Sequence, residues 1–124
     1  MPVPLLKQGE YLIASIQSAL TDADLTRLRD ELLNRTGQHR SRGVIVDVTV
    51  LDVLDSFAAR TLNDMGKMLK LKGAEMVVVG IQPEVAIAMV RLGLTLQGVV
   101  TALDLEEGLA HLAERARWRS RRGG

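Results

Sequence analysis

A chain of 124 residues with 47% hydrophobic, 25% charged and 2% aromatic side chains has the size and composition of one globular domain. It contains no Cys, which excludes disulfide scaffolds and thiolate metal sites. Its apolar runs, such as Met76–Val79, fall far short of the roughly 20 residues of a membrane span, and no basic-then-apolar segment opens it, so a cytoplasmic protein with no membrane partner is expected.

The net charge of +1 hides a division. All 15 acidic residues and 11 of the 16 basic ones precede position 115, so the body carries −4, while residues 115–122 hold five Arg and carry +5. A block of like charge ending on Gly123 and Gly124 reads as a solvated, frayed terminus. The domain is therefore expected over residues 1–116 and a basic, disordered tail over 117–124. Phosphate or nucleic-acid contact is the alternative use of such a block.

In chain order, Val3–Lys7 and Tyr11–Ile16 are short apolar runs separated by Gln8, Gly9 and Glu10, the pattern of a β-hairpin. Thr21 with Asp24 forms a capping-box pattern, and Leu25, Leu28 and Leu32 repeat at helical spacing, with Gly37 placed to stop that helix. Val44–Val46 is a continuous β-branched run, as in a strand covered on both faces, and Asp47 marks its end. After a loop through Leu51–Asp55, Ala58, Leu62, Met65 and Leu69 form a second helical stripe closed by Gly73. Met76–Val79 repeats the buried-strand pattern. Gly80 follows, and Pro83 suits the first turn of a helix over Val85–Leu92 that Gly93 ends. Its stripe of Val85, Ala86, Met89 and Val90 is core, or a protein interface where it surfaces. Val99 and Val100 suggest a last short strand, and Asp104 with Glu107 caps a fourth helix through Leu105, Leu109, Leu112 and Ala116 into the arginine-rich end.

Two strands followed by alternating helices and strands give an α/β fold: a mixed, mainly parallel sheet of four to five strands flanked by four helices. Binding loops in such sheets lie beyond the carboxyl ends of the strands, here residues 47–56, 80–83 and 101–104.

Those loops carry little catalytic equipment. His39 and His111 lack an evident catalytic partner, no glycine-rich phosphate cradle follows a strand, and one Trp, one Tyr and one Phe are too few for base stacking, so a nucleic-acid partner is not expected. Asp47, Asp52 and Asp55 crowd one loop, and Asp47 stands where a receiver domain would carry its phosphoacceptor. The acids that a receiver needs after its first strand and the Lys after its last are replaced by Leu5, Leu6, Lys7 and by Thr101, Ala102. A few oxygen ligands in one loop are a weak metal signal. Asp55 and Ser56 precede an apolar helical stripe, and both are preferred N-caps. A hydroxyl left exposed there could take a phosphate, stabilised by free N–H groups and the helix dipole, and the added charge of about −1.5 to −2 could switch a binding face.

Val44–Ser56 (VIVDVTVLDVLDS), Gly73–Pro83 (GAEMVVVGIQP), Thr101–Leu109 (TALDLEEGL) and the SIQ of Ser15–Gln17 resemble the STAS domains of anti-sigma factor antagonists, over Leu5 to about Glu114. Within that family the chain is most similar to the RsbS-type scaffolds of the bacterial stressosome. Simple antagonists continue D-S-S-G or D-S-T-G where this chain has Asp55, Ser56, Phe57 and Ala58, which argues against a one-to-one antagonist. RsbR-type paralogues typically have Thr at the Ser56 position and an additional sensory domain, which this chain is too short to hold, so a sensor role is not expected.

The resemblance implies a non-catalytic regulatory scaffold that needs no cofactor or metal. Unphosphorylated, it would hold an RsbT-like serine kinase together with RsbR-like paralogues, in a homo-oligomer or large hetero-assembly. Phosphorylation of Ser56 would release the kinase, with Asp47, Asp52, Asp55 and Phe57 flanking the phosphosite at the kinase interface. The paralogues' second phosphorylatable Thr falls in the segment matching Pro83–Leu94 (PEVAIAMVRLGL), which has no hydroxyl here, so one switch site is expected. Taken alone, the residues leave open a small α/β ligand-binding protein or enzyme using the Asp47, Asp52 and Asp55 loop.

Overall fold

In the computed structural model, which describes residues 3–123, Gly9 takes a φ of +59°. That left-handed turn, which a Cβ would oppose, pairs β1 (Leu5–Gln8) antiparallel with β2 (Tyr11–Ser15). The chain then alternates through α1 (Asp22–His39), β3 (Gly43–Asp47), α2 (Ser56–Leu71), β4 (Glu75–Val79), α3 (Pro83–Arg91), β5 (Val100–Ala102) and α4 (Leu105–Gly123). The sheet order is β1-β2-β3-β4-β5, with every pair after the first parallel. The expected mixed sheet therefore has five strands and four helices, and each parallel step is bridged by a helix.

Strand alternation divides the core in two. Leu12, Ala14, Val44, Val46, Met76 and Val78 face α1 and α2, where Leu25, Leu28, Leu32, Leu62, Met65 and Leu69 meet them. Ile13, Ile45, Val77 and Val79 face the other way, onto Leu112 of α4. Burial on both faces explains why β3 and β4 lack polar alternation.

At the start of α1, Thr21 and Asp24 form the expected capping box, Thr21 Oγ1 accepting from Asp24 N and Asp24 Oδ2 accepting from Thr21 N, each at 3.1 Å. Hydrogen bonding from the Thr21 backbone N–H, and then from its side chain, holds the Asp24 carboxyl below its ordinary range. The helix end differs from expectation. Gly37 lies inside α1, and Arg40 takes the left-handed cap at φ 50°, its N–H donating to Thr36 O. Thr36 is buried, so packing holds the helix past the glycine.

The arginine-rich segment also differs from the frayed tail expected over 117–124. α4 continues through it to Gly123, helped by the good helix propensity of Arg and by ion pairs from Arg115 to Glu75 and from Arg117 to Glu114. The stripe of α3 splits: Val85 and Met89 are buried, whereas Ala86 and Val90 are exposed.

The connection into β5 crosses α2 at two glycines. A Cβ on Gly66 would lie 2.2 Å from Gly98 O, and one on Gly98 would lie 2.4 Å from Asn63 O. Asn63 fastens the crossing, donating from Nδ2 to Thr95 O at 2.7 Å and accepting from Gly98 N at 3.1 Å. Because backbone cannot yield as a flexible side chain would, Gly66→Ala is expected to destabilise the domain by about 1–3 kcal/mol in chemical denaturation.

Candidate functional site

The site begins where α2 begins. Asp55 has extended backbone, φ −82° and ψ −179°, and its Oδ1 accepts from Ala58 N at 2.8 Å. Of the two adjacent residues able to cap, Asp55 is thus the N-cap and Ser56 the first helical residue. With that role filled, Ser56 is exposed and its hydroxyl makes no hydrogen bond among the described residues. Its carbonyl accepts from Arg60 Nε at 3.4 Å. The first-turn N–H groups precede the helix's own ladder, so hydroxyl and anion-favouring backbone lie together at one solvent-facing point.

Asp47, at the end of β3, is differently engaged. Its Oδ1 accepts from Thr49 N at 2.9 Å and from Thr49 Oγ1 at 2.5 Å, which shapes the turn leaving the strand. Thr49 O accepts from Gln82 Nε2 at 2.7 Å, and Gly80 N donates to Ala102 O at 3.2 Å. A Cβ on Gly80, whose φ is +82°, would stand 2.1 Å from Thr49 Oγ1. The loops following β3 and β4 are thereby pinned together. Sequence reasoning missed Thr49 and Gln82 as pins; the visible trace was the glycine placed directly after β4.

Between these pins and α2, the loop and the start of α1 enclose a cleft of about 350 Å³. Ile16, Leu20, Leu25 and Leu54 give it apolar walls, and Asp22, Asp52 and Asp55 also line it. Val50 and Val53, 50% and 72% exposed, present apolar surface beside it. Phe57 is half-buried and packs against the core. Asp52 and Asp55 therefore line one cleft at the start of α2, Phe57 packs the helix start against the core, and Asp47 is held by its own turn.

The three loop carboxylates do not converge. Among the described residues no group of three or more His, Cys, Asp or Glu side chains is placed to hold a metal ion, so the geometry gives the ligand-binding or enzyme alternative no assembled acidic centre. His39 is exposed in the last turn of α1. His111 lies on α4 with Nε2 3.5 Å from Glu75 Oε2, near the starts of the strands.

A STAS domain family model matches residues 3–107. The chain belongs to the STAS domain family. Over 83 residues it is 35% identical to the RsbT co-antagonist protein RsbRA of Bacillus subtilis, a match that takes in 67% of this chain and 30% of that longer protein. RsbS of Moorella thermoacetica, solved with a serine-to-glutamate substitution, superposes with a TM-score of 0.79 at 35% identity, over 93% of this chain and 97% of that one. A chain from a structure of the stressosome, described as a signal integration and transduction hub, gives 0.76 at 36% identity over 92% and 99%. No helix among the described residues is long and apolar enough to cross a membrane.

The division of labour at the start of this STAS domain's α2 is measurable. Asp55→Ala should cost about 1 kcal/mol of unfolding free energy, the usual worth of an N-cap, whereas Ser56→Ala should stay within about 0.5 kcal/mol of the parent, as for a surface change. Equal losses in urea titrations would contradict the assignment.

Proposed function

We propose that this STAS domain is a non-catalytic scaffold of a stressosome-type assembly, which holds an RsbT-like serine kinase and releases it when Ser56 is phosphorylated. The observation that carries the proposal is the exposed Ser56 hydroxyl, without a hydrogen bond among the described residues, at a helix start whose cap is supplied by Asp55. Similarity to RsbS and to a stressosome chain over nearly the whole domain, and to RsbRA over two thirds of it, supports the setting. RsbR-like paralogues are the assembly partners that the setting supplies.

The release step follows from electrostatics. A phosphate on Ser56 adds about −1.5 to −2 charges beside Asp52 and Asp55. The helix N-terminus tolerates that charge, so the domain stays folded. A docked protein surface, which would have to strip water from a dianion among carboxylates, does not tolerate it. Before modification, Val50, Val53 and the cleft offer apolar area for a partner to cover. The absence of a hydroxyl from Pro83–Leu94 leaves Ser56 as the one site proposed.

Incubation with ATP and the cognate kinase, followed by peptide mass spectrometry, should place phosphate on Ser56. Ser56→Asp should keep the parent's melting behaviour yet bind the kinase at least about tenfold more weakly, a difference of about 1.4 kcal/mol. Ser56→Ala should bind as the parent does and fail to release on addition of ATP. Undiminished kinase binding by the Asp variant, or phosphate found only elsewhere, would remove the proposal.

A further inference from the structure

All four helices lead back from the carboxyl ends of the parallel strands toward their amino ends, so all four point the same way. Contacts along α4 trace this direction. Gly108 lies against Val79 at the end of β4, Leu112 lies against Gly43 at the start of β3, and Arg115 Nε reaches Glu75 Oε2, 2.9 Å away, at the start of β4. Charge follows direction. α1 opens on Asp22 and Asp24, α3 carries Glu84 in its first turn and α4 carries Glu106 and Glu107, whereas His39, Lys70 and Arg91 occupy the last turns of α1, α2 and α3. Each placement complements one helix dipole. Because the helices are co-directional the placements add, and the molecule has an acidic end, which bears Ser56, and a basic end. Arg27 and Arg60, one turn inside the acidic end, turn back on Asp24 and on the Ser56 carbonyl.

The basic end carries an extension. Beyond Arg115, α4 runs on to Gly123, which at 1.5 Å per residue projects roughly 10 Å. The acids near it are already held, Glu75 by Arg115 and Glu114 by Arg117, while Glu10 lies in the β1–β2 turn at the far edge of the sheet. Arg119 and Arg121 make no salt bridge within 4 Å among the described residues, although Arg121 still acts at longer range on Glu114, whose close partner is Arg117.

We propose that the arginine-rich end of α4 is a docking arm for the acidic end of a second copy of this chain. One rigid domain cannot bring its own two ends together, and a net charge of +1 sets up little repulsion between copies. The carboxylates at the acidic end match the guanidinium fork, and the −4 body disfavours a polyanion such as nucleic acid as the occupant. The contact is head-to-tail. It joins unlike surfaces, does not close on itself as a two-fold dimer does, and extends by repetition. The inference goes beyond the phosphoswitch, shares its end of the molecule, and is tested on the unmodified chain without kinase, so its failure and that of the switch are distinguishable.

Sedimentation equilibrium of the full chain tests it. Between about 0.01 M and about 0.3 M salt the screening length contracts from about 30 Å to under 10 Å, so the weight-average mass should rise with protein concentration at low salt and fall by at least about twofold at high salt. Arg119→Glu/Arg121→Glu should abolish the low-salt growth, and so should Asp52→Arg/Glu84→Arg. Mixing the two variants, whose arms and acidic ends are then complementary again, should restore it, with circular dichroism confirming that both are folded. A mass independent of salt, growth undiminished in the arm variant, no recovery on mixing, or capture of a short DNA duplex in place of self-association would overturn the proposal.

Discussion

Burial of β3 and β4 on both faces is the constraint from which the rest of the structure follows. Val44, Val46, Met76 and Val78 take one side of the sheet, and Ile45, Val77 and Val79 take the other. A strand that must be dry on both sides needs a helix layer on each, and parallel neighbours need a crossover long enough to supply one. The parallel steps from β2 to β5 lay α1, α2 and α3 on one face, α4 after β5 covers the other, and the same steps gather the outgoing loops at one end of the sheet. The start of α2 is at that end because β3 delivers the chain there.

Within that setting, two neighbouring residues with similar capping chemistry take different roles. Asp55 closes the first turn of α2 and Ser56 is left outside the bond. A carboxylate accepts from a backbone N–H with charge assistance, so the longer, ionised side chain is the better cap and the hydroxyl remains available. The loop around it is stiff where it leaves the sheet, through Asp47, Thr49 and Gln82, and apolar where it meets solvent, through Val50 and Val53. A firm base with an uncovered apolar rim suits a surface that docks a partner with little rearrangement. The same STAS architecture therefore supplies both an exposed hydroxyl and an apolar rim, the pairing on which the proposed switch rests.

Helix direction links the site to the distant end of the molecule. A helix favours acids at its start and bases at its end for local reasons. In an up-and-down bundle such preferences cancel, but in a parallel α/β sheet they accumulate. The acidic surroundings of Ser56 and the arginines on α4 are thus two ends of one charge distribution, consistent with the −4 body and +5 terminal segment.

Side-chain pattern is enough to give the element order, the two-sided strands, the Thr21 and Asp24 capping box, the glycine stops at Gly73 and Gly93, and the Asp55–Ser56 pair at the start of a helix. These are set by side-chain periodicity and by dihedral demands that act over a few residues. Only the packed chain settles that α1 runs past Gly37, that the arginine-rich segment is helical, that the loops after β3 and β4 are tied together, that Asp55 caps α2, and that α3 buries Val85 and Met89 while exposing Val90. Each of these depends on a partner distant in the chain or on a competition between near-equal local options: Thr36 buried by packing, Glu75 pairing with Arg115, Gln82 reaching Thr49, and Asp55 taking the cap ahead of Ser56. Local free energies leave such choices within about 1 kcal/mol of one another, and the folded surroundings settle them.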